Sequence, residues 1–241
     1  MTRFWNAFWG NNTHFIEHCN SLHFSYFLLA KNFMEAKFFD KKTNKFYKLV
    51  PTSTWPTLEI SGIHMHRIKD VDPKTDTELK IKSLGKIYGT ILDICTGLGY
   101  TAILAARKKS VEKVVTIEKD KNVIKIAEQN EFSKELFENP KIELIIGDAF
   151  EVVRTFEDES FNFIIHDPPR FSLAPELYSK EFYNQLFRVL KKGGRMFNYT
   201  GEPGKLSGKN FIKGITRRLL LAGFRKILKV EEAKGLVAYK F

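Results

Sequence analysis

The run Ile91-Leu92-Asp93-Ile94-Cys95-Thr96-Gly97-Leu98-Gly99-Tyr100-Thr101 passes from an apolar strand pattern through an acid into a Gly-x-Gly turn, and an Ala-rich helix pattern over 101–108 follows. A glycine turn at such a place lets the backbone approach a ligand where a Cβ would clash. The helix start adds N–H groups facing the same crevice. A second strand pattern, 113–117, ends in Glu118. The separation 118 − 93 = 25 residues is close to the roughly 20 expected of a ribose-binding acid in a βαβ unit. A third strand, 142–146, leads to Gly147-Asp148, and a fourth, 161–166, leads to Asp167-Pro168-Pro169-Arg170. Read singly, the glycines could form only a tight turn, and Glu118 and Asp148 could be only helix caps. Their joint order and spacing point to a bound nucleoside.

This order resembles the class I S-adenosylmethionine (SAM)-dependent methyltransferases over about residues 77–241. The Asp93–Thr101 run and the Asp167-Pro168-Pro169-Arg170-Phe171-Ser172-Leu173 run are similar to a group of archaeal-type methyltransferases. The resemblance implies SAM as cofactor. It places Asp93, Gly97 and Gly99 at the methionine part, Glu118 at the ribose hydroxyls and Asp148 by the adenine. Thr96, Tyr100, Thr101, Lys119, Ala149 and Asp167 complete that binding set. It also implies a Rossmann-like α/β fold whose sheet of seven mostly parallel strands ends in an antiparallel strand.

The chemistry turns on Asp167, Pro168, Pro169, Arg170 and Phe171. Two prolines remove two backbone donors and fix φ, which holds a rigid loop beside the crevice. In the resembling N-methyltransferases an acid or amide, two prolines and an aromatic ring orient a planar amino group toward the SAM methyl, so positioning is most of the catalysis. Here Arg170 stands at the aromatic position and Phe171 one later. Arginine can stack on a base or bind a phosphate or carboxylate. Tyr199 and Thr200, at the end of the fifth strand, are candidates for the acceptor wall beside Arg170 and Phe171. His166 precedes Asp167, and strand alternation turns it to the opposite face, toward the helix layer. His64 and His66, with Arg67 nearby, line either the acceptor entrance or a surface hairpin.

The rest of the chain must position these groups. Helix patterns fall at 77–88, capped by Asp76 or Thr77, and at 121–130, 175–190 and 210–222, with Gly193-Gly194 ending the third. Strand 195–199 and a final pair, 226–230 and 236–241, complete an alternating order that implies a mostly parallel sheet covered on both faces. Residues 1–76 read as a small α+β extension. Helix patterns cover 1–10 and about 22–34, and two hairpins follow, 35–50 and 57–68. The catalytic domain is then 77–241.

Composition limits the partners. No apolar run approaches the ~20 residues of a membrane span. Cys19 and Cys95 make no disulfide framework, which suits a reducing cytoplasm, and no cysteine–histidine spacing suggests a metal. The net charge of +11 admits nucleic acid, with basic groups at Lys41-Lys42-Lys45-Lys48, Lys191-Lys192-Arg195 and Lys205–Arg218. The expectation is methyl transfer from SAM to a nitrogen acceptor, with RNA the leading macromolecule. A small-molecule or protein methyltransferase, an aminopropyltransferase of polyamine metabolism and a non-catalytic RNA-binding module stand as alternatives. Aminopropyl transfer ranks low at this stage because Arg170 would repel a polycation. Oligomeric state is not legible.

Overall fold

The computed structural model describes residues 36–201 and 208–241; the helices expected over 1–10 and 22–34 lie outside them. A four-stranded antiparallel sheet comes first: β1 (Lys37–Asp40), β2 (Lys45–Val50), β3 (Thr57–Ile60) and β4 (Ile63–His64), paired in that order. The turn between β3 and β4 takes left-handed backbone at Ser61 (φ 48°) and Gly62 (φ 85°), the geometry a tight hairpin demands.

Helix α1 (Pro73–Ser83) starts earlier than the 77–88 expected. Asp72 caps it by accepting the Thr75 N–H at 3.0 Å, and Pro73 occupies the first turn, where its missing N–H has no partner to lose. Asp76 and Thr77 therefore sit inside the helix rather than at its cap.

The remaining elements are β5 (Gly89–Ile94), α2 (Tyr100–Ala106), β6 (Val111–Glu118), α3 (Lys121–Glu128), α4 (Lys134–Glu138), β7 (Ile142–Ile146), α5 (Ala149–Val152), β8 (Phe161–His166), α6 (Lys180–Val189), β9 (Leu190–Tyr199), α7 (Gly208–Ala222), β10 (Arg225–Val230) and β11 (Gly235–Tyr239). The strands form one seven-stranded sheet in the order β10-β11-β9-β8-β5-β6-β7. β5 to β9 run parallel, and the last strand, β11, is antiparallel to β9 and β10. This is the α/β sheet the sequence predicts. Two details differ. Ser179 interrupts the helix expected over 175–190: it follows a 3-10 turn, Pro175–Tyr178, and caps α6 by accepting the Phe182 N–H at 3.0 Å. Gly193 and Gly194 end no helix; they lie within β9, which begins at Leu190.

Alternation along the strands sorts the core into two layers. Ile91, Phe163, Ile165 and Phe197 pack with the small sheet, α1 and α2. Leu92, Ile94, Ile164 and Met196 pack with α6 and α7. Chain order reverses between β5 and β8, so the crevice opens at the C-terminal ends of those two strands.

The small sheet is tied to the larger unit by named polar contacts. Tyr47 donates its hydroxyl to Asp120 Oδ2 at 2.7 Å, and Asn122 donates to Asp40 Oδ2 at 3.0 Å. Tyr100, fully buried, donates to the Pro56 carbonyl at 2.9 Å, accepts from Asn130 at 2.9 Å and packs its ring against Trp55. Tyr100→Phe keeps the ring but leaves a buried carbonyl and amide short of a partner, which costs about 1–3 kcal/mol. Urea denaturation should show that loss; an unchanged midpoint would mean the hydroxyl does not anchor the small sheet.

Candidate active site

Asp93, next to last in β5, has no exposed surface. Its Oδ1 accepts from the Thr101 hydroxyl at 2.8 Å and its Oδ2 from Thr116 at 2.7 Å, while the Thr96 hydroxyl lies 2.7 Å from that of Thr116. Burial pushes the Asp93 carboxyl up to about 7, against the pull of the two threonines. These four residues brace the turn from beneath, with both Asp93 oxygens and the three hydroxyls engaged with one another. Above them the backbone runs through left-handed Cys95 (φ 70°), Gly97 (φ 56°) and Gly99 (φ 78°). A Cβ on Gly99 would stand 2.8 Å from the Leu136 side chain, which explains the second glycine by packing. Nothing lies within 4 Å of the Cβ position of Gly97, so the open approach to the backbone is there. Tyr100, expected at the cofactor, instead faces the small sheet.

Glu118 closes the other side of the turn. Its Oε2 accepts the Gly97 N–H at 3.0 Å and its Oε1 the Asp120 N–H at 2.9 Å. Burial raises its pKa, opposed by those backbone donors. A carboxylate has about four acceptor directions, so two bonds leave room for a diol. Asp148 caps α5 through the Phe150 N–H at 2.9 Å and pairs with exposed Lys119 at 2.5 Å; Ala149 is buried behind it. Asp148 and Glu118 thus stand at neighbouring strand ends, β7 and β6.

The loop after β8 carries Asp167, which donates its N–H to the Ile94 carbonyl at 3.4 Å. Its Oδ2 accepts from Lys80 Nζ at 2.6 Å. Lys80, on α1, is buried. Its ammonium also lies 2.9 Å from Asp76 Oδ2, though outside hydrogen-bond geometry, and 4.6 Å from the centre of the Tyr199 ring. Asp76 Oδ1 accepts from Arg67 at 2.9 Å, and Arg67 also donates to the Glu232 carbonyl at 2.8 Å. Burial alone would lower the Lys80 pKa; Asp167 and Asp76 outweigh it and hold the ammonium above the ordinary lysine range. The cluster brings together Asp167 and Tyr199, both expected, and Arg67, noted beside the two histidines, with Lys80, which sequence reasoning did not select, and Asp76, which it read only as a helix cap. The spacing of Asp76 and Lys80, i and i+4 on one helix, is the signal that could have found them.

Other expected residues fall elsewhere. Thr200 gives its N–H and hydroxyl to the Lys234 carbonyl, each at 3.0 Å, which ties it to the turn before β11. Arg170 is exposed, and Phe171 packs edge-on against Tyr178 and Phe211. The Tyr178 hydroxyl donates to the Pro169 carbonyl at 2.7 Å, which fixes the two-proline loop. His166 faces the helix layer as alternation predicts: it is fully buried, and its Nδ1 lies 2.7 Å from Asn198 Oδ1. His66 lies against Tyr100, with Nδ1 3.0 Å from the Thr57 hydroxyl. No helix among the described residues is long and apolar enough to cross a membrane.

The family model described as the spermine/spermidine synthase domain matches residues 90–212. An uncharacterized protein of Methanocaldococcus jannaschii is 53% identical over 199 residues, covering 82% of this chain and 68% of that one. A polyamine aminopropyltransferase of Sulfolobus acidocaldarius is 36% identical over 118 residues, 47% of this chain and 39% of its own length, so the match spans well under half of that relative. The crystal structure of a spermidine synthase in complex with the transition state analogue AdoDATO superposes with a TM-score of 0.67 at 21% identity, covering 84% of this chain and 71% of that one. The fold is also shared with the methyltransferase class. These matches overturn the expectation of methyl transfer to a nitrogen acceptor with RNA in the lead, because the family model and the named relatives are those of polyamine synthesis. Arg170, whose charge ranked that class low, is exposed, and the cation hydrogen-bonded to Asp167 is Lys80.

The two histidines give the site a pH signature. Burial lowers His66 to about 3, with Lys80 adding to the effect and Asp76 opposing it, and burial lowers His166 to about 4 against the Asn198 bond. Their folded pKa values lie below the unfolded value of about 6.5. Stability from these groups is therefore complete above pH 6.5 and declines as pH falls toward 4 and 3. Asp93, raised, has the opposite sign: its contribution weakens as pH rises from about 4 to 7. His66→Gln should flatten the loss of stability between pH 6.5 and 4, measured by denaturant midpoints at each pH. An unaltered slope would mean that His66 is not held neutral.

Proposed function

We propose that this chain, which belongs to the spermine/spermidine synthase domain family, transfers an aminopropyl group from decarboxylated SAM to an amine. The match over residues 90–212 carries the reading, because it spans the glycine turn, Glu118, Asp148 and the Asp167 loop together. The donor supplies a sulfonium, whose bond to the propyl carbon breaks as the amine nitrogen bonds to that carbon. The electron pair goes to sulfur, methylthioadenosine leaves, and the new secondary amine releases a proton.

The residues fit those demands. The open backbone at Gly97 admits the donor close to the turn. Glu118 keeps acceptor capacity for the ribose hydroxyls after taking the Gly97 and Asp120 N–H groups. Asp148 stands one strand further out, where an adenine amino group would find an acceptor. Asp167 gives Oδ2 to Lys80, and no hydrogen bond among the described residues reaches Oδ1. Oδ1 is then the atom that accepts a hydrogen from the attacking amine, turns its lone pair toward the crevice and takes its proton. The Pro168-Pro169 backbone, pinned by Tyr178, keeps that oxygen still.

Decarboxylated SAM should raise the melting temperature more than SAM at equal concentration, because the tighter ligand stabilises more. Mass spectrometry should find methylthioadenosine and an aminopropylated amine. Glu118→Ala should weaken donor binding by about 1.5–3 kcal/mol. Asp167→Asn should lower turnover on the order of 10²–10⁴-fold with donor affinity nearly unchanged. SAM outranking decarboxylated SAM, with no aminopropylated product from any amine, would overturn the assignment.

A further inference from the structure

Two carboxylates and an aromatic face are the surroundings that protein sites offer to a substrate ammonium. The described residues contain such a constellation, Asp76, Asp167 and Tyr199, at the amine end of the crevice, and an ammonium already occupies it. Lys80 Nζ lies 2.9 Å from Asp76 Oδ2, 2.6 Å from Asp167 Oδ2 and 4.6 Å from the Tyr199 ring centre. The Lys80 side chain is 3% exposed and that of Asp76 is 0% exposed, whereas that of Asp167 is 22% exposed. The lysine thus closes the inner part of this pocket and leaves one edge of Asp167 open.

We propose that Lys80 is a tethered stand-in for a substrate ammonium, so that the acceptor of this enzyme carries one reacting amine and no second cationic group. The inference deepens the aminopropyl-transfer reading and rests on it for the reaction, but not for the pocket. Charge decides the point. Arg67 and Lys80 supply two positive charges against the two negative charges of Asp76 and Asp167, so the cluster is already neutral. A diamine whose first nitrogen reacted at Asp167 Oδ1 would find no unpaired acid in the cluster to receive its second ammonium. A second cation brought to this cluster meets the like charge of Lys80. Nor can Lys80 leave cheaply by losing its proton, since the two carboxylates hold that proton on. An acceptor with a single amine meets none of this opposition. His66 lies beyond the lysine on the small sheet and is held neutral, so it adds no charge of either sign.

The test compares the wild type with Lys80→Met and Lys80→Gln. Calorimetry follows 1,4-diaminobutane and 1-aminobutane titrated into the full chain saturated with methylthioadenosine. The wild type should bind the monoamine in preference to the diamine. Removing the internal ammonium should tighten diamine binding at least about tenfold, equivalent to ~1.4 kcal/mol, and leave monoamine binding less affected. Lys80→Arg keeps the charge and should keep the wild-type preference. Lys80→Gln retains a donor toward Asp167 and serves where Lys80→Met does not fold, as judged by circular dichroism. If the wild type prefers the diamine, or neither folded variant gains diamine affinity, the stand-in role is overturned. If calorimetry gives the expected reversal while no amine yields product with decarboxylated SAM, the pocket stands and the reaction assigned to it falls.

Discussion

The ammonium of Lys80 ties together three parts of the chain that sequence separates widely. It leaves helix α1, meets Asp167 on the loop after β8 and lies over Tyr199 at the end of β9. A buried charge of this kind costs several kcal/mol to desolvate and is tolerated only where partners surround it. Asp76 and Asp167 provide that surround, and Arg67 in turn satisfies Asp76 from the small sheet's side while reaching the Glu232 carbonyl before β11. Replacing any one member leaves an uncompensated charge in the interior. One electrostatic arrangement therefore links α1, the loop after β8 and the segment after β4.

A second buried carboxylate, Asp93, solves a different problem. The glycine turn must expose backbone to a ligand, so it cannot be packed from above. It is held from below by the threonine hydroxyls that converge on Asp93, and from the side by Glu118. Both oxygens of Asp93 are taken, and its surroundings raise its pKa. That arrangement makes the acid a structural part of the turn and leaves Glu118, on the next strand, as the carboxylate with acceptor capacity facing the crevice.

Much of the sheet was legible because its strands are marked by local signals. The runs before Asp93, Glu118, Gly147 and Asp167 are apolar, short and bounded by turn residues, and each is a strand in the structure. The face taken by His166 followed from alternation alone. The start of α1 was misplaced because Thr77 and Asp76 look like caps, while Asp72-Pro73 makes a better one. The contacts of Tyr100 and Thr200 were not legible for a related reason: a position beside a motif says which element a residue occupies, not which way its side chain turns. Lys80 was legible only as the i+4 partner of Asp76; its second partner lies 87 residues away, and only folding brings all three together.

The reaction class turned on the same blind spot. Arg170 lies within the loop motif, so it dominated the reading of charge at the acceptor end; in the fold it is exposed, and the cation at Asp167 comes from α1. A sulfonium donor and an amine acceptor are both positive, and a site that joins them must supply negative charge without repelling either. On that reading Glu118 and Asp148 serve the donor: besides the Phe150 N–H, Asp148 has an exposed partner, Lys119, whose pull is screened by water. The acceptor is left with the open oxygen of Asp167. On the proposed reaction that oxygen orients one nitrogen and takes one proton. The sheet and its strand-end acids frame the crevice, and Lys80 sets the charge beside Asp167.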